Sequence, residues 1–207
     1  MRMMEPKTDV RANAAEHFRD HLLGSIETKR RVLSHCEPDI LAAAGTIAKS
    51  LHNQGKLLLC GNGGSAADCQ HFAAELVSVL TQEFLRPGLA AIALTTNSSI
   101  LTASANDFGY SGIFERQVQA LGRPGDVVLG ISTSGNSENV LRALSYAASH
   151  GMRTIAMTGQ SGGKLASLAE TAIRIPSTNC QHIQEAHITV AHVLCALVER
   201  SLFPEIG

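Results

Sequence analysis

Four hydroxyls fall within six positions at Ser132, Thr133, Ser134 and Ser137. They follow the apolar run Asp126-Val-Val-Leu-Gly-Ile131 and lead into a helical stretch. A turn that only redirects the chain needs one or two such residues. Between a strand and a helix, the full set offers hydroxyls, free backbone N–H groups and the positive end of a helix dipole to an anion, most simply a phosphate. A second segment repeats the arrangement: Lys56-Leu-Leu-Leu-Cys-Gly61 runs into Asn62-Gly63-Gly64-Ser65 and then another helix. This loop lacks the Gly-Lys-Ser/Thr ending of a P-loop and the spacing of a dinucleotide fingerprint, and taken alone a tight turn explains it equally well. Two such units in one short chain point to a phosphorylated small-molecule ligand.

The helix after the first loop carries His71 and Glu75. Four residues apart, they stand ~40° apart around the axis and ~6 Å along it, so they share a face. A carboxylate there can move a proton between adjacent carbons, and an imidazole can serve a hydroxyl. The same pair can ligate a metal, and a plain surface pair is the remaining alternative. Apolar flanks at Phe72, Ala73, Ala74 and Leu76 favour some burial. In the last helical stretch Gln184, Glu185, His187 and His192 interrupt apolar residues. On its own, His192 among Ile188, Val190, Val193 and Leu194 reads as a satisfied core histidine rather than a ligand. His17 and His21, also four apart, lie on an amphipathic N-terminal helix and read as solvated.

These groups need a scaffold, and the pattern of apolar residues supplies one. Helical periodicity and breakers predict helices over 12–35, between Pro38 and Gly55, and over 65–80, 98–106, 113–121, 137–150, 162–169 and 181–202. Short apolar runs predict strands over 57–60, 89–94, 127–131, 154–157 and 172–175. Strands alternating with helices imply an α/β fold, a parallel sheet of five strands covered on both faces. Ligands in such sheets bind beyond the carboxyl ends of the strands, where both Gly/Ser loops fall. A chain of 207 residues with 44% hydrophobic but only 4% aromatic content packs one domain with small aliphatic side chains. With a net charge of −1 and no basic run, nucleic acid is excluded as a partner. No apolar run reaches the ~18 residues of a membrane span. Residues 1–11 are polar, lack the apolar stretch of a signal peptide, and are expected to fray. The five cysteines are scattered without a CxxC pair, which reads as reduced core thiols in a cytoplasmic protein.

Taken in order, Cys60-Gly-Asn-Gly-Gly-Ser-Ala-Ala-Asp68, Gln70-His-Phe-Ala-Ala-Glu75, Ala105-Asn-Asp-Phe-Gly109, Gly130-Ile-Ser-Thr-Ser-Gly-Asn-Ser137 and Ile183-Gln-Glu-Ala-His187 resemble the sugar-isomerase (SIS) family, and within it the phosphoheptose isomerase branch. The likeness runs from about residue 12 to residue 203, so the SIS domain is expected over 12–207.

The resemblance implies a homotetramer with active sites at subunit interfaces. It also implies an intramolecular oxidoreduction that interconverts sedoheptulose 7-phosphate and glycero-manno-heptose 7-phosphate, a first step toward activated heptose for lipopolysaccharide. In matching positions Glu75 is the base that carries a proton between C1 and C2 through an enediolate, and His192 is its acid/base partner. Ser132, Thr133, Ser134 and Ser137 cradle the phosphate. Asn62, Gly63, Gly64, Ser65, Asn106, Asp107 and Gln184 line the sugar. Some relatives hold zinc, and His71, Glu75, Gln184 and His192 are the matching ligands. Gln184 and His192 are ~12 Å apart along a straight helix, so either the helix end deviates or a single metal takes them from different subunits, and the second is expected. Three positions depart from the family pattern: no Arg closely follows Glu75, His182 replaces a basic residue, and Asn97 replaces an Asp. An isomerase for another sugar phosphate, and a non-catalytic relative that binds a replication initiator, are the alternatives.

Overall fold

Leu57, Leu58 and Leu59 are consecutive in the chain and all fully buried. Only a strand covered on both faces permits that, because neighbouring side chains point to opposite sides. In the computed structural model, which describes residues 10–206, β1 (Leu57–Gly61) joins β2 (Ala91–Ala93), β3 (Val127–Ser132), β4 (Arg153–Thr158) and β5 (Thr171–Arg174) in one sheet of order β2-β1-β3-β4-β5. Every pairing is parallel, with Leu59 opposite Leu129 and Leu129 opposite Ile155. Helices fill the connections: α1 (Val10–His35), α2 (Glu37–His52), α3 (Gly64–Val77), α4 (Ser98–Phe108), α5 (Ile113–Leu121), α6 (Glu138–Ser149), α7 (Gly163–Leu168) and α8 (Cys180–Leu202). A 3₁₀ turn, Tyr110–Gly112, joins α4 to α5. The core divides as strand alternation requires. Leu57, Leu59, Leu129 and Met157 pack against α2, α3 and α8, whereas Leu58, Cys60, Val128 and Ala156 pack against α5, α6 and α7.

Every expected strand and helix is present, with shifted ends. The helix expected over 65–80 stops at Val77, and the strand expected over 89–94 shrinks to three residues. One side chain accounts for the first change. Arg86 folds back and donates to the carbonyls of Glu75, Leu76 and Ser78, at 2.7–2.9 Å, closing the carboxyl end of α3. The segment expected to fray, 1–11, lies outside the described residues except for its last two positions, which already belong to α1. Four cysteines are buried as expected, but Cys180 is exposed at the start of α8. No helix among the described residues is long and apolar enough to cross a membrane.

The core histidine of α8 is His187, not His192. His187 is fully buried, and its Nε2 lies 3.2 Å from the Thr158 carbonyl oxygen. Burial pushes its pKa down to about 4 from an ordinary 6.5. Between those values the unfolded chain binds the proton more readily, so the folded state loses stability as pH falls from about 6.5 to about 4. Replacing His187 by Gln should flatten the fall in unfolding temperature between pH 7 and pH 4.5, and an unchanged slope would contradict this origin.

Candidate active site

The sheet order brings the two Gly/Ser loops together. The chain leaves β1 toward β2 on one side and resumes at β3 on the other, so the crevice between β1 and β3 is the switch point where such sheets bind ligands. Residues 61–65 follow β1 and residues 132–137 follow β3, and side chains join them directly. Asn62 Nδ2 donates to Asn139 Oδ1 and Asn139 Nδ2 donates to Asn62 Oδ1, each at 2.9 Å. Gly63 takes φ +56°, and a side chain on Gly64 would collide with the Gln184 amide, which lies against the first turn of α3. Ser65 is buried beneath that turn.

In the second loop Ser132 Oγ lies 3.0 Å from Ser137 Oγ and 3.4 Å from Ser134 Oγ. Gly135, at φ +66°, makes the tight reversal, where any side chain would strike the backbone of Gly162. Ser137 stands at the N-cap of α6, yet its hydroxyl turns to Ser132 instead of capping the helix. Neither α3 nor α6 has a side-chain cap among the described residues. Among the described residues the first two N–H groups of each helix, of Gly64 and Ser65 and of Glu138 and Asn139, therefore remain available to an anion. Thr133 faces the exposed Cys180, whose Sγ lies 3.7 Å from Thr133 Oγ1.

The second cluster is formed by α3 and α8. His71 Nε2 lies 2.9 Å from Glu75 Oε1, and His192 Nε2 lies 3.2 Å from His71 Nε2. Contact with α3 brings His192 to the His71–Glu75 pair, a placement its own apolar neighbours do not predict. The donor atoms of His71, Glu75 and His192 all fall within 4.8 Å of one another. Zinc bonds of about 2.0–2.1 Å set tetrahedral edges of about 3.3 Å, so this imidazole–carboxylate–imidazole set suits such an ion. Gln184 is elsewhere, against Gly64, two turns of α8 away from His192. Eleven residues of α3, ~16 Å of helix, also separate Gly64 from Glu75. The phosphate-type loops with Gln184, and the His–Glu–His cluster, thus lie apart within one chain.

A family profile described as the SIS domain matches residues 22–159. The phosphoheptose isomerase of Roseiflexus sp. is 54% identical over 186 residues, covering 90% of this chain and 93% of that protein. The solved phosphoheptose isomerase of Neisseria gonorrhoeae superposes with a TM-score of 0.84 at 42% identity, covering 89% of this chain and 98% of that one. That of Francisella tularensis gives 0.86 at 39%, covering 90% and 98%. This chain belongs to the phosphoheptose isomerase branch of the SIS-domain family.

Within this SIS domain the remaining predicted residues and departures find distinct places. Asn106 and Asp107 are exposed at the end of α4, where Asn106 Nδ2 donates to Asp107 Oδ1 at 2.8 Å, and no hydrogen bond among the described residues ties them to the two loops or to the His–Glu–His cluster. The next Arg after Glu75 is Arg86. Arg86 is fully buried and paired with Glu199 at 2.6 Å. Asn97 caps α4 by accepting from the Ile100 N–H at 3.0 Å. His182 lies against Gly24 of α1 and meets the His21 ring at a centroid distance of 4.9 Å. His21 is not solvated as expected: its Nε2 lies 2.8 Å from Glu185 Oε1, and Ser25 also donates to that carboxylate. Those contacts, with the Ser25 hydroxyl foremost, hold the Glu185 carboxyl below the usual range. His17 is exposed, as predicted.

Three polar residues beside the SIS site escaped the sequence reading. Asp68 lies one turn before His71, and burial pushes its carboxyl up to about 6 against the opposing pull of His71. Asn139 and Tyr110 hold Asn62. A polar residue in the first turn of α6, beside the apolar Val140, is the one available signal for Asn139. Nothing local marks the other two.

Proposed function

We propose that this SIS-domain protein is a phosphoheptose isomerase, converting sedoheptulose 7-phosphate to the aldose heptose 7-phosphate. The observation that carries this reading is the paired architecture, a hydroxyl-lined anion cradle at Ser132–Ser137 and a separate carboxylate–imidazole cluster at Glu75. The carbonyl and the alcohol exchange places within one molecule, so the enzyme is an isomerase and needs no external oxidant.

The site is assembled from two chains of a homotetramer. An extended seven-carbon phosphate reaches about 10 Å, from bonds of about 1.5 Å, whereas ~16 Å of α3 lies between Gly64 and Glu75. One chain supplies Asn62, Gly63, Gly64, Ser65, Gln184 and the serine cradle, and its neighbour supplies His71, Glu75 and His192. Asn106 and Asp107, exposed in one chain, complete the sugar pocket in the assembly.

Chemically, the Glu75 carboxylate takes a proton from C1 of the open-chain ketose. The C–H electron pair becomes the C1–C2 double bond, and the C2 carbonyl oxygen takes up a proton. His192 moves that proton between the C1 and C2 hydroxyls. Glu75 then returns its proton to C2 as the C1 aldehyde forms. Zinc, held by His71, Glu75 and His192 with Gln184 of the neighbour, would polarise the oxygens and steady the enediolate. Five free thiols, four of them buried, accord with a reducing, cytoplasmic setting.

Replacing Ser134 by Ala should raise KM about tenfold, the worth of one hydrogen bond to a charged group, with kcat little changed. An unaltered KM would count against the cradle. The function itself is tested with a panel of ketose phosphates. Turnover should be highest for sedoheptulose 7-phosphate, and preference for a pentulose phosphate would overturn the heptose assignment while leaving the SIS isomerase chemistry standing.

A further inference from the structure

Asn62 is the side chain on which the two loops meet, and its orientation is set by three partners. The Val140 N–H donates to Asn139 Oδ1 at 3.0 Å, which fixes which end of the Asn139 amide is oxygen. That oxygen then receives Asn62 Nδ2, so Asn62 Oδ1 must face Asn139 Nδ2. The Tyr110 hydroxyl donates to the same Asn62 Oδ1 at 2.9 Å. Of the two donors and two acceptor positions of a side-chain amide, three are spent, and one Asn62 N–H is left without an acceptor among the described residues.

Asn139 is 3% exposed, in the first turn of the helix that Ser137 begins. Tyr110 is 62% exposed, in the 3₁₀ turn before α5. The cradle helix, the first loop and the 110–112 turn are thereby tied to one amide. We infer that Asn139 and Tyr110 are positioning residues for the isomerisation, locking Asn62 so that it presents a single N–H donor to the sugar at a fixed distance from the phosphate cradle. This inference rests on the isomerase reading above.

The lock predicts a split between two measurements. Inorganic phosphate needs only the cradle, whereas sugar turnover needs Asn62 as well. Replacing Tyr110 by Phe removes one hydroxyl from an exposed ring and leaves the fold intact. It should lower kcat/KM for sedoheptulose 7-phosphate by about fivefold to tenfold. Asn139→Leu keeps the size and adds no charge beside the phosphate cradle but removes both bonds to Asn62, and should lower kcat/KM by at least ~10-fold. In both variants the inhibition constant of inorganic phosphate should stay within about twofold of wild type. General loosening would move both quantities. If kcat/KM is unchanged in Tyr110→Phe, or if phosphate inhibition weakens in step with turnover, the inference is overturned while the isomerase reading stands. A wild-type protein that does not turn over sedoheptulose 7-phosphate overturns both.

Discussion

Replacing Glu75 by Gln should lower kcat by at least ~10²-fold while leaving KM and phosphate inhibition near wild type. Gln keeps the size and hydrogen-bonding shape of the side chain but cannot accept a proton from carbon. A positioned general base contributes ~10²- to 10⁴-fold, so this loss falls on the chemical step. The His71 contact at 2.9 Å survives the change, because an amide can still meet an imidazole. Retained binding with lost turnover would thus separate base from scaffold. Turnover within tenfold of wild type would remove Glu75 from the mechanism.

The second large effect is on stability, at Arg86 and Glu199. Both side chains are buried, their charges meet at 2.6 Å, and the Leu80 N–H also donates to the carboxylate at 3.4 Å. Arg86 additionally satisfies the carbonyls that end α3, the helix that carries Glu75. Removing one partner of a buried ion pair leaves the other charge without compensation, at a cost of about 3–5 kcal/mol. Arg86→Met should therefore lower the unfolding free energy by about that amount, measured at fixed protein concentration because assembly shifts apparent stability. Glu199→Met should cost a similar amount. The double variant should lose less than the sum, since each single change strands the other residue's charge and the double change strands neither. Additive losses would show that the pair is not coupled.

How much of this was legible in the sequence depended on range. Strands with three adjacent buried leucines, and loops with four hydroxyls in six positions, are local patterns, so the five-stranded sheet and the cradle follow from them. His71 and Glu75 share a face by helix geometry alone. His192 and His187 show where local reading stops. Five residues apart on α8, they point ~140° away from each other, and only the packing of α3 decides which is site and which is core. The local reading assigned the core role to His192, whereas His187 holds it. Arg86 lies eleven positions past Glu75 and reaches back across a loop, a distance no periodicity covers. Asn139 and Tyr110 become partners of Asn62 only because strand order places β3 beside β1. In contrast, the separation of Gln184 from His192 is readable from helix rise, and Gln184 does lie away from His192, against Gly64.

A crystal of the Glu75→Gln enzyme soaked with sedoheptulose 7-phosphate tests the central claim most directly. The phosphate should sit on the Ser132, Ser134 and Ser137 hydroxyls of one chain. C1 and C2 should lie within about 3.5 Å of the side chain at position 75 of a neighbouring chain, the spacing of a reactive complex. A phosphate held elsewhere, or C1 and C2 remote from position 75 of every chain in the assembly, would contradict the account.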